Sequence, residues 1–339
     1  MTTDKKLPAV SFVIPVLNEE NRIKGCLESI KNQEYPEDKM EILVVDGGST
    51  DNTLEIAKEY GCRTIYNPKK LAEPGVALGT KEAKNEIVFV MASDNHLPKK
   101  DWIKLMIRPF QDNLNVVGAF THVLTYPKDN LVNRYYSWAH VDPFTFFVFG
   151  NDANPRFMDK SYEIIEKTEE YIIFNFTIEN YPLLALAQGF AIKKDALKDR
   201  ENEYDDILPV ISKIEQKSLI AYVPNAGIYH DHLKNFKDFV KKYKNRIEIN
   251  VYKKGWGYET RKKYLSKKRK LRQKLWIIYS LSFILPFLDS IKGLKRDKDI
   301  VWFMHPFMCF ALTFIGGIVM IEYAFKKIFK QLQGRSEYV

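Results

Sequence analysis

The sequence predicts an α/β fold in which a mainly parallel sheet is covered by helices. Three observations carry this expectation. Short β-branched apolar runs recur along the first part of the chain, the stretches between them have helical spacing, and several runs stop abruptly at acids or glycines. With 339 residues, 45% hydrophobic and 28% charged, the chain is long enough for two domains or one large one and too apolar for wholesale disorder.

The first strand is VSFVIPV, residues 10–16. Residues 21–32 then place Ile23, Leu27 and Ile30 on one helical face. EILVV, residues 41–45, is a second buried strand, stopped by Asp46-Gly47-Gly48. Ser49-Thr50-Asp51 stand where a helix over 53–60 needs its N-cap. A short strand at 63–66 and a helix over 75–85 lead to a fourth strand at 86–91. From 152 to 181 the pattern loosens into an aromatic-rich stretch suited to a lid or acceptor surface. A strand at 189–194, a helix over 205–216 and the strand-like IAYVPNAGIYH at 220–230 follow. No internal repeat and no low-complexity tract occurs.

The formal charge of +9 is uneven. Residues 234–274 hold 17 Lys or Arg against three acids, Asp238, Glu248 and Glu259, a surplus of 14, so the rest of the chain carries −5. Such a block seeks a polyanion, either nucleic acid or an anionic membrane face. Its aromatics, Phe239, Tyr243, Tyr252, Trp256, Tyr258 and Tyr264, would also suit single-stranded nucleic acid. The sequence that follows favours membrane lipid, with no nucleic-acid partner. Residues 275–288, LWIIYSLSFILPFL, and 300–325 are the most apolar stretches of the chain. The uncharged run 307–321, with its flanks, is long enough to span about 30 Å of hydrocarbon. The stretch 275–288 is short and holds Pro286, which suits an interfacial or re-entrant helix. Basic residues flank both stretches on every side, which favours segments that enter from the cytoplasmic face and return to it. Cys26, Cys62 and Cys309 are widely spaced and odd in number, so a reducing compartment is expected rather than a disulfide framework. No apolar run precedes the first strand, so no cleavable signal peptide is expected.

In an open parallel sheet, ligands bind beyond the carboxyl ends of the strands. Acids fall at three such ends: Asn18-Glu19-Glu20 after the first strand, Asp46 after the second, and Asp94-Asn95-His96 after the fourth. Any one of these, like Asp51, also serves as a helix cap. Convergence of all three on one crevice would instead make a cation site, since carboxylate and imidazole together suit manganese as well as magnesium. No GxGxxG follows the first strand and no GxxxxGK[ST] occurs, so neither a dinucleotide fold nor a P-loop is indicated.

VSFVIPVLNEENRIKGCLESIKNQ, EILVVDGGSTDNT and IVFVMASDNHLP, in this order and spacing, resemble the family 2 glycosyltransferases of GT-A fold, over roughly residues 8–232. The resemblance implies a nucleotide-diphosphate-sugar donor (a UDP- or GDP-sugar), a divalent cation (Mn2+ or Mg2+), and inverting transfer in one displacement. Carried over position by position, Pro15, Leu17, Asn18, Glu19 and Asp46 would bind the nucleotide, together with Ser93 and Asp94. Asp94 and His96 stand at the D-x-D position that chelates the metal; D-x-H is similar to the subset that builds exopolysaccharides. His230 falls on the histidine that closes the domain and reaches the metal or diphosphate. Gly47 stands where many relatives have a second aspartate.

Gln188-Gly189-Phe190 resembles the glycine-containing strand beneath the acceptor. Asp206 falls on the catalytic aspartate and Asp205 on the acid before it. A sugar or lipid hydroxyl is a poor nucleophile at neutral pH, so a carboxylate must take its proton, while a cation offsets the charge of the departing nucleoside diphosphate. Arg246 or its neighbours would also reach that diphosphate. The processive motif QxxRW is absent, which favours single addition.

The implied organisation is a GT-A catalytic domain over 1–232, with a nucleotide-binding half at about 8–100 and an acceptor half at about 101–232. A basic amphipathic juxtamembrane segment at 233–274, membrane-embedded or interfacial helices at 275–330 and a tail at 331–339 would follow. The implied function is transfer of a sugar to a polyprenyl-linked glycan or polyprenyl acceptor at the cell membrane, in surface polysaccharide biosynthesis, with the catalytic domain cytoplasmic. Two alternatives stand beside it. One is a polyprenyl-phosphate monosaccharide synthase, whose longer acidic motif DNHLP lacks. The other is a catalytically silent nucleotide-sugar-binding scaffold, against which Asp94, Asp206 and His230 count.

Overall fold

A computed structural model describes residues 6–126, 128–197, 204–252 and 261–332. Trp256 and Tyr258 of the basic block, and the tail beyond 332, lie outside the described residues. By its contacts the chain forms two compact units. One comprises residues up to 124 together with 151–231, and the other comprises 125–150 together with 232–339. The first unit thus ends beside the expected boundary at 232. The expectation of one uninterrupted catalytic segment does not hold, because residues 125–150 group with the C-terminal helices.

In the first unit, strands β1 (Val10–Val16), β2 (Met40–Asp46), β3 (Arg63–Tyr66) and β4 (Ile87–Met91) are mutually parallel, in the order β3-β2-β1-β4. Helices α1 (Glu20–Lys31), α2 (Thr53–Glu59) and α3 (Ala72–Glu82) form the crossovers. β1, β2 and β4 are near-continuous apolar runs because both faces are covered, whereas the edge strand β3 has no fully buried residue. Phe12 of β1 and Phe89 of β4 stack at 4.9 Å in the core that Ile23, Leu27 and Ile30 of α1 close from one side. On the other side α3 approaches so closely that a Cβ on Gly79 would come within 2.4 Å of Val13.

Past β4 the chain makes β5 (Asn95–His96), α4 (Trp102–Asp112), β6 (Val116–Phe120) and β7 (Val123–Leu124). After the excursion 125–150 come β8 (Ile164–Lys167), β9 (Ile172–Phe174), β10 (Gln188–Lys193), α7 (Leu208–Glu215), β11 (Leu219–Tyr222) and β12 (Ile228–His230). β10 runs antiparallel between β4 and β6, and the nine-stranded sheet continues β6-β11-β9-β8. β5, β12 and β7 form a small second sheet. The stretch 220–230 is therefore not one strand. It breaks at Pro224–Gly227, where Gly227 has φ +55°, and its halves serve different sheets. The helix expected from 205 starts at Leu208 instead.

The second unit is helical: α5 (Leu131–Ala139), α6 (Pro143–Phe149), α8 (Phe236–Tyr252), α9 (Lys267–Ser282), α10 (Ile284–Asp297) and α11 (His305–Leu332). Tyr135 and Tyr136, Phe239 and Tyr243, Trp276, Trp302 and Met308 share its core. Phe239 and Tyr243 of the basic block are thus buried, not offered for stacking. Asp299 ties this unit together by accepting from Arg134 Nε at 2.5 Å, Trp138 Nε1 at 2.7 Å and the Val301 amide at 3.0 Å. Among the described residues one helix, over 300–329, is long and apolar enough to cross a membrane. α9 and α10 meet at Phe283 with a bend of 91°.

Candidate active site

Loops at the carboxyl ends of β1 and β2 are laced together by short-range polar bonds. Asn18 takes φ +57°, a conformation that asparagine tolerates better than most residues. Its amide donates to Ser49 Oγ at 2.9 Å, while its side-chain oxygen accepts from the Thr50 amide at 2.8 Å. The Glu19 amide donates to Thr53 Oγ1 at 2.8 Å, and Glu20 accepts from the Asn52 amide at 3.1 Å. Asp46 is buried, and its carboxylate receives the Gly48 and Ser49 amides and the Ser49 hydroxyl, the last at 2.6 Å. Asp51 receives the Thr53 amide at 3.1 Å, at the start of α2 where an N-cap was expected.

The β2 loop is therefore a rigid turn organised by a carboxylate, and Gly47 fits there because a Cβ would press on Lys70 Cα at 3.2 Å. Pro15 is half-buried, whereas Leu17 and Asn18 stand exposed at the rim.

The turn after β4 carries Ser93 and Asp94, both buried. The Ala92 amide and Asn95 Nδ2 both donate to the Ala187 carbonyl, at 3.1 and 2.9 Å, which ties this turn to the start of β10. The Leu186 amide in turn donates to the Asp206 carbonyl at 3.2 Å. Two backbone steps thus connect the Asp94 turn with the Asp206 turn at one edge of the sheet.

Gln188 is half-buried, opposite Met91. A bulge follows at Gly189, whose φ is +72° and whose missing Cβ leaves room for Trp102 and Ile228, each 3.3 Å from where it would lie. Asp205 is buried and accepts from the Ile207 and Leu208 amides at 2.7 and 3.0 Å, fixing the turn that enters α7, whose N-cap is Ile207. Asp206 beside it is half-buried.

β12 pairs with β5 so that His230 lies opposite Asn95, and its Nε2 comes 3.3 Å from Asp94 Oδ1. His96 takes another position. Its ring occupies the space over Gly25 of α1, with Cε1 2.6 Å from where a Cβ would be. Among the described residues, no metal-ligand cluster of three that includes Asp94 takes in His96. The approach of His230 to Asp94 comes from the long-range pairing of β12 with β5, which the local D-x-H spacing does not encode. Arg246 lies on α8 in the second unit, its guanidinium 5.4 Å from the Tyr243 ring.

The donor set suits a hard divalent cation. Two ligand atoms about 2.1 Å from an octahedral ion and about 90° apart lie about 3.0 Å from each other, close to the 3.3 Å between Asp94 and His230. Burial above all, and then the charge of nearby Asp94, pushes the Cys26 thiol far above the ordinary range. Sequence reasoning passed over Lys69, whose ammonium lies 5.3 Å from the Tyr204 ring and joins the β3 loop to the residue before Asp205. The two are remote along the chain, and no local signal pairs them.

Residues 11–169 match the family model "Glycosyl transferase family 2". The glycosyltransferase AglE of Haloferax volcanii is 42% identical over 144 residues, 40% of this chain and 46% of that protein. A Methanococcus voltae enzyme, dolichyl N-acetyl-alpha-D-glucosaminyl phosphate 3-beta-D-2,3-diacetamido-2,3-dideoxy-beta-D-glucuronosyltransferase, is 34% identical over 109 residues, 30% of this chain and 34% of its own. The chain spans less than half the length of these curated relatives. In fold it is similar to a mannosyltransferase from Pyrobaculum calidifontis solved with GDP-Man and Mn2+, with a TM-score of 0.54 and 14% identity over 92% of this chain and 86% of that one. The sheet and its covering helices are those of the GT-A fold. Residues 11–169, the segment that holds the donor-side loops and the Asp94 turn, match glycosyl transferase family 2.

Proposed function

We propose that this chain is a metal-dependent, inverting glycosyltransferase that moves a sugar from a UDP- or GDP-linked donor to a hydroxyl or phosphate of a lipid-linked glycan or polyprenyl carrier, working at the cytoplasmic face of a membrane. The observation that carries the reading is the shared edge. The Asp94–His230 pair, 3.3 Å apart, is joined through Ala187 and Leu186 to the turn that bears Asp206. The acceptor class is supported by the Methanococcus relative, whose name describes a dolichyl-linked sugar phosphate.

Asp94 and His230 hold the cation, which when bound offsets the negative charge of the leaving diphosphate. His96, packed on Gly25, keeps β5 against α1. The loop Pro15–Glu19 and the Asp46 turn cradle the nucleotide, with the Asn18–Ser49–Thr50 bonds fixing its walls. Gln188 and the Gly189 bulge floor the acceptor side. Asp206 takes the proton of the attacking hydroxyl as the new bond forms, and Asp205 positions it by holding the Ile207 and Leu208 amides.

The test is a thermal-shift screen of nucleotide sugars with and without Mn2+, followed by turnover assays with lipid-phosphate acceptors. A UDP- or GDP-sugar should stabilise the chain only with metal, and Asp94→Asn or His230→Gln should abolish that dependence. Asp206→Asn should bind donor normally yet turn over on the order of 10²–10⁴ more slowly. Failure of every nucleotide to stabilise the protein would overturn the donor assignment.

A further inference from the structure

A membrane-side acceptor leaves open how the second unit meets the lipid, and α11 bears directly on that. Phe307, Phe310, Phe314, Ile318, Ile321 and Phe325 are all exposed, Phe307 by 65% and Phe325 by 68%. At 100° per residue these six fall within about 100° of one another around the helix, and Phe329 continues the same line. Met308, Leu312, Ile315 and Val319 are buried and occupy a different sector. Glu322 and Lys326 project to that buried side, not into the exposed stripe. The stripe therefore runs on past the point where charges appear, which is the signature of a helix lying along an interface and not through one.

The neighbour of α11 makes the same point. α8 runs beside its C-terminal half: Lys244 Nζ bonds Glu322 at 2.9 Å, Tyr252 meets Tyr323 at 5.3 Å, and Lys326 lies 5.0 Å over the Tyr252 ring. α8 carries Lys237, Asp238, Lys241, Lys242, Lys244, Arg246 and Glu248 within its 17 residues. If α11 crossed a bilayer, this helix would be drawn into the hydrocarbon with its charges. α9 and α10 fit the same geometry. Their 91° bend exposes Ile278, Leu281, Ile284 and Leu285, and the apolar arm from Leu275 to Ser282 rises only about 12 Å, which reaches into one leaflet.

We propose that the second unit is a monotopic platform: α11 lies in the plane of an anionic bilayer's headgroup–acyl boundary, stripe inward, with the α9–α10 bend wedged into the same leaflet. Lys292, Lys295 and Lys327, all exposed, supply the charge complement to acidic headgroups. This rests on the membrane-side part of the proposed function and specifies its geometry.

The experiment uses the full chain with Cys26, Cys62 and Cys309 replaced by alanine, and single cysteines at 310, 314, 321 and 325 carrying an environment-sensitive fluorophore. Vesicles of phosphatidylcholine and phosphatidylglycerol with spin labels at graded acyl depths act as quenchers. In-plane binding predicts one common shallow depth at all four positions, about 5–10 Å below the headgroups. A depth that sinks to the midplane and rises again from 310 to 325 means a spanning helix and overturns the proposal.

As a measurement independent of the cysteine replacements, Phe314→Lys with Phe325→Lys should weaken vesicle partition on the order of tenfold or more while donor-induced thermal stabilisation is unchanged. Unchanged partition, or no binding to these vesicles at all, also overturns it. Neither readout involves turnover. A chain that transfers sugar but spans the bilayer refutes only this inference, and a chain that lies in-plane but binds no donor refutes only the transferase reading.

Discussion

Gly189 offers the sharpest test of how packing shapes the proposed site. Its φ of +72° puts it in the left-handed region, and a methyl there would sit 3.3 Å from both Trp102 and Ile228. Neither neighbour has room to move: both are fully buried, and Trp102 Nε1 is tethered to the Gly227 carbonyl at 2.9 Å.

Gly61 is the matched control. Its φ is +68°, yet nothing lies within 4 Å of its missing Cβ. Gly61→Ala should therefore cost only the backbone term, about 1 kcal/mol. Gly189→Ala should cost that plus about 1–2 kcal/mol of overpacking, a total near 2–3 kcal/mol. For a unit of this size the larger change corresponds to roughly 4–12 °C in Tm. Urea unfolding followed by tryptophan fluorescence measures both. Because the Ala187 carbonyl beside the bulge holds the Asp94 turn, Gly189→Ala should also depress turnover, and Gly61→Ala should not. Equal midpoints for the two variants would refute the argument that Trp102 and Ile228 confine this position.

Three other outcomes follow from the same coordinates. Burial first, and then the nearby Arg156 charge, pushes His122 down to about 4, so the folded chain keeps it neutral while the unfolded chain protonates it near 6.5. Its contribution is thus complete above about pH 6.5 and is lost as pH falls toward 4, by up to about 3 kcal/mol; His122→Gln should flatten that limb in urea midpoints taken at pH 7 and 4.5. Asp205→Ala should cost about 1 kcal/mol of stability through the lost bonds to the Ile207 and Leu208 amides, with Asp205→Asn largely restoring it, whereas Asp206→Asn should leave the melting curve in place. Asp299→Ala should destabilise the second unit by about 2 kcal/mol, because Arg134 and Trp138 lose their shared acceptor; hydrogen exchange confined to residues 125–150 and 232 onward would locate the loss.

The parallel half of the sheet was legible because its signals are local. A strand buried on both faces must be an apolar run, so 10–16 was read with the bounds it has, and 41–45 and 86–91 to within a residue; the short edge strand 63–66 was also read with its own bounds. The carboxyl-end rule then pointed to Asp46 and Asp94 without further information. What escaped depends on distant partners. β5 and β7 are two residues each, and only β12 makes them strands. That pairing, and not the D-x-H spacing, decides which imidazole reaches Asp94. Asp205 read as the start of a helix because an N-cap and a first helical residue look alike in sequence. The aromatic stretch 152–181 hid β8 and β9, whose partners lie in β11 and in each other.

The detour of residues 125–150 has a practical consequence. A fragment cut after Asp231 would keep α5 and α6 but discard the helices that share their core, exposing Tyr135, Tyr136 and Phe149 to water. Such a truncation invites aggregation whatever becomes of the catalytic half, so poor solubility of that fragment says nothing about whether the enzyme needs lipid. A soluble version would have to replace 125–150 by a short loop joining Leu124 to Asn151 as well as remove the C-terminal helices.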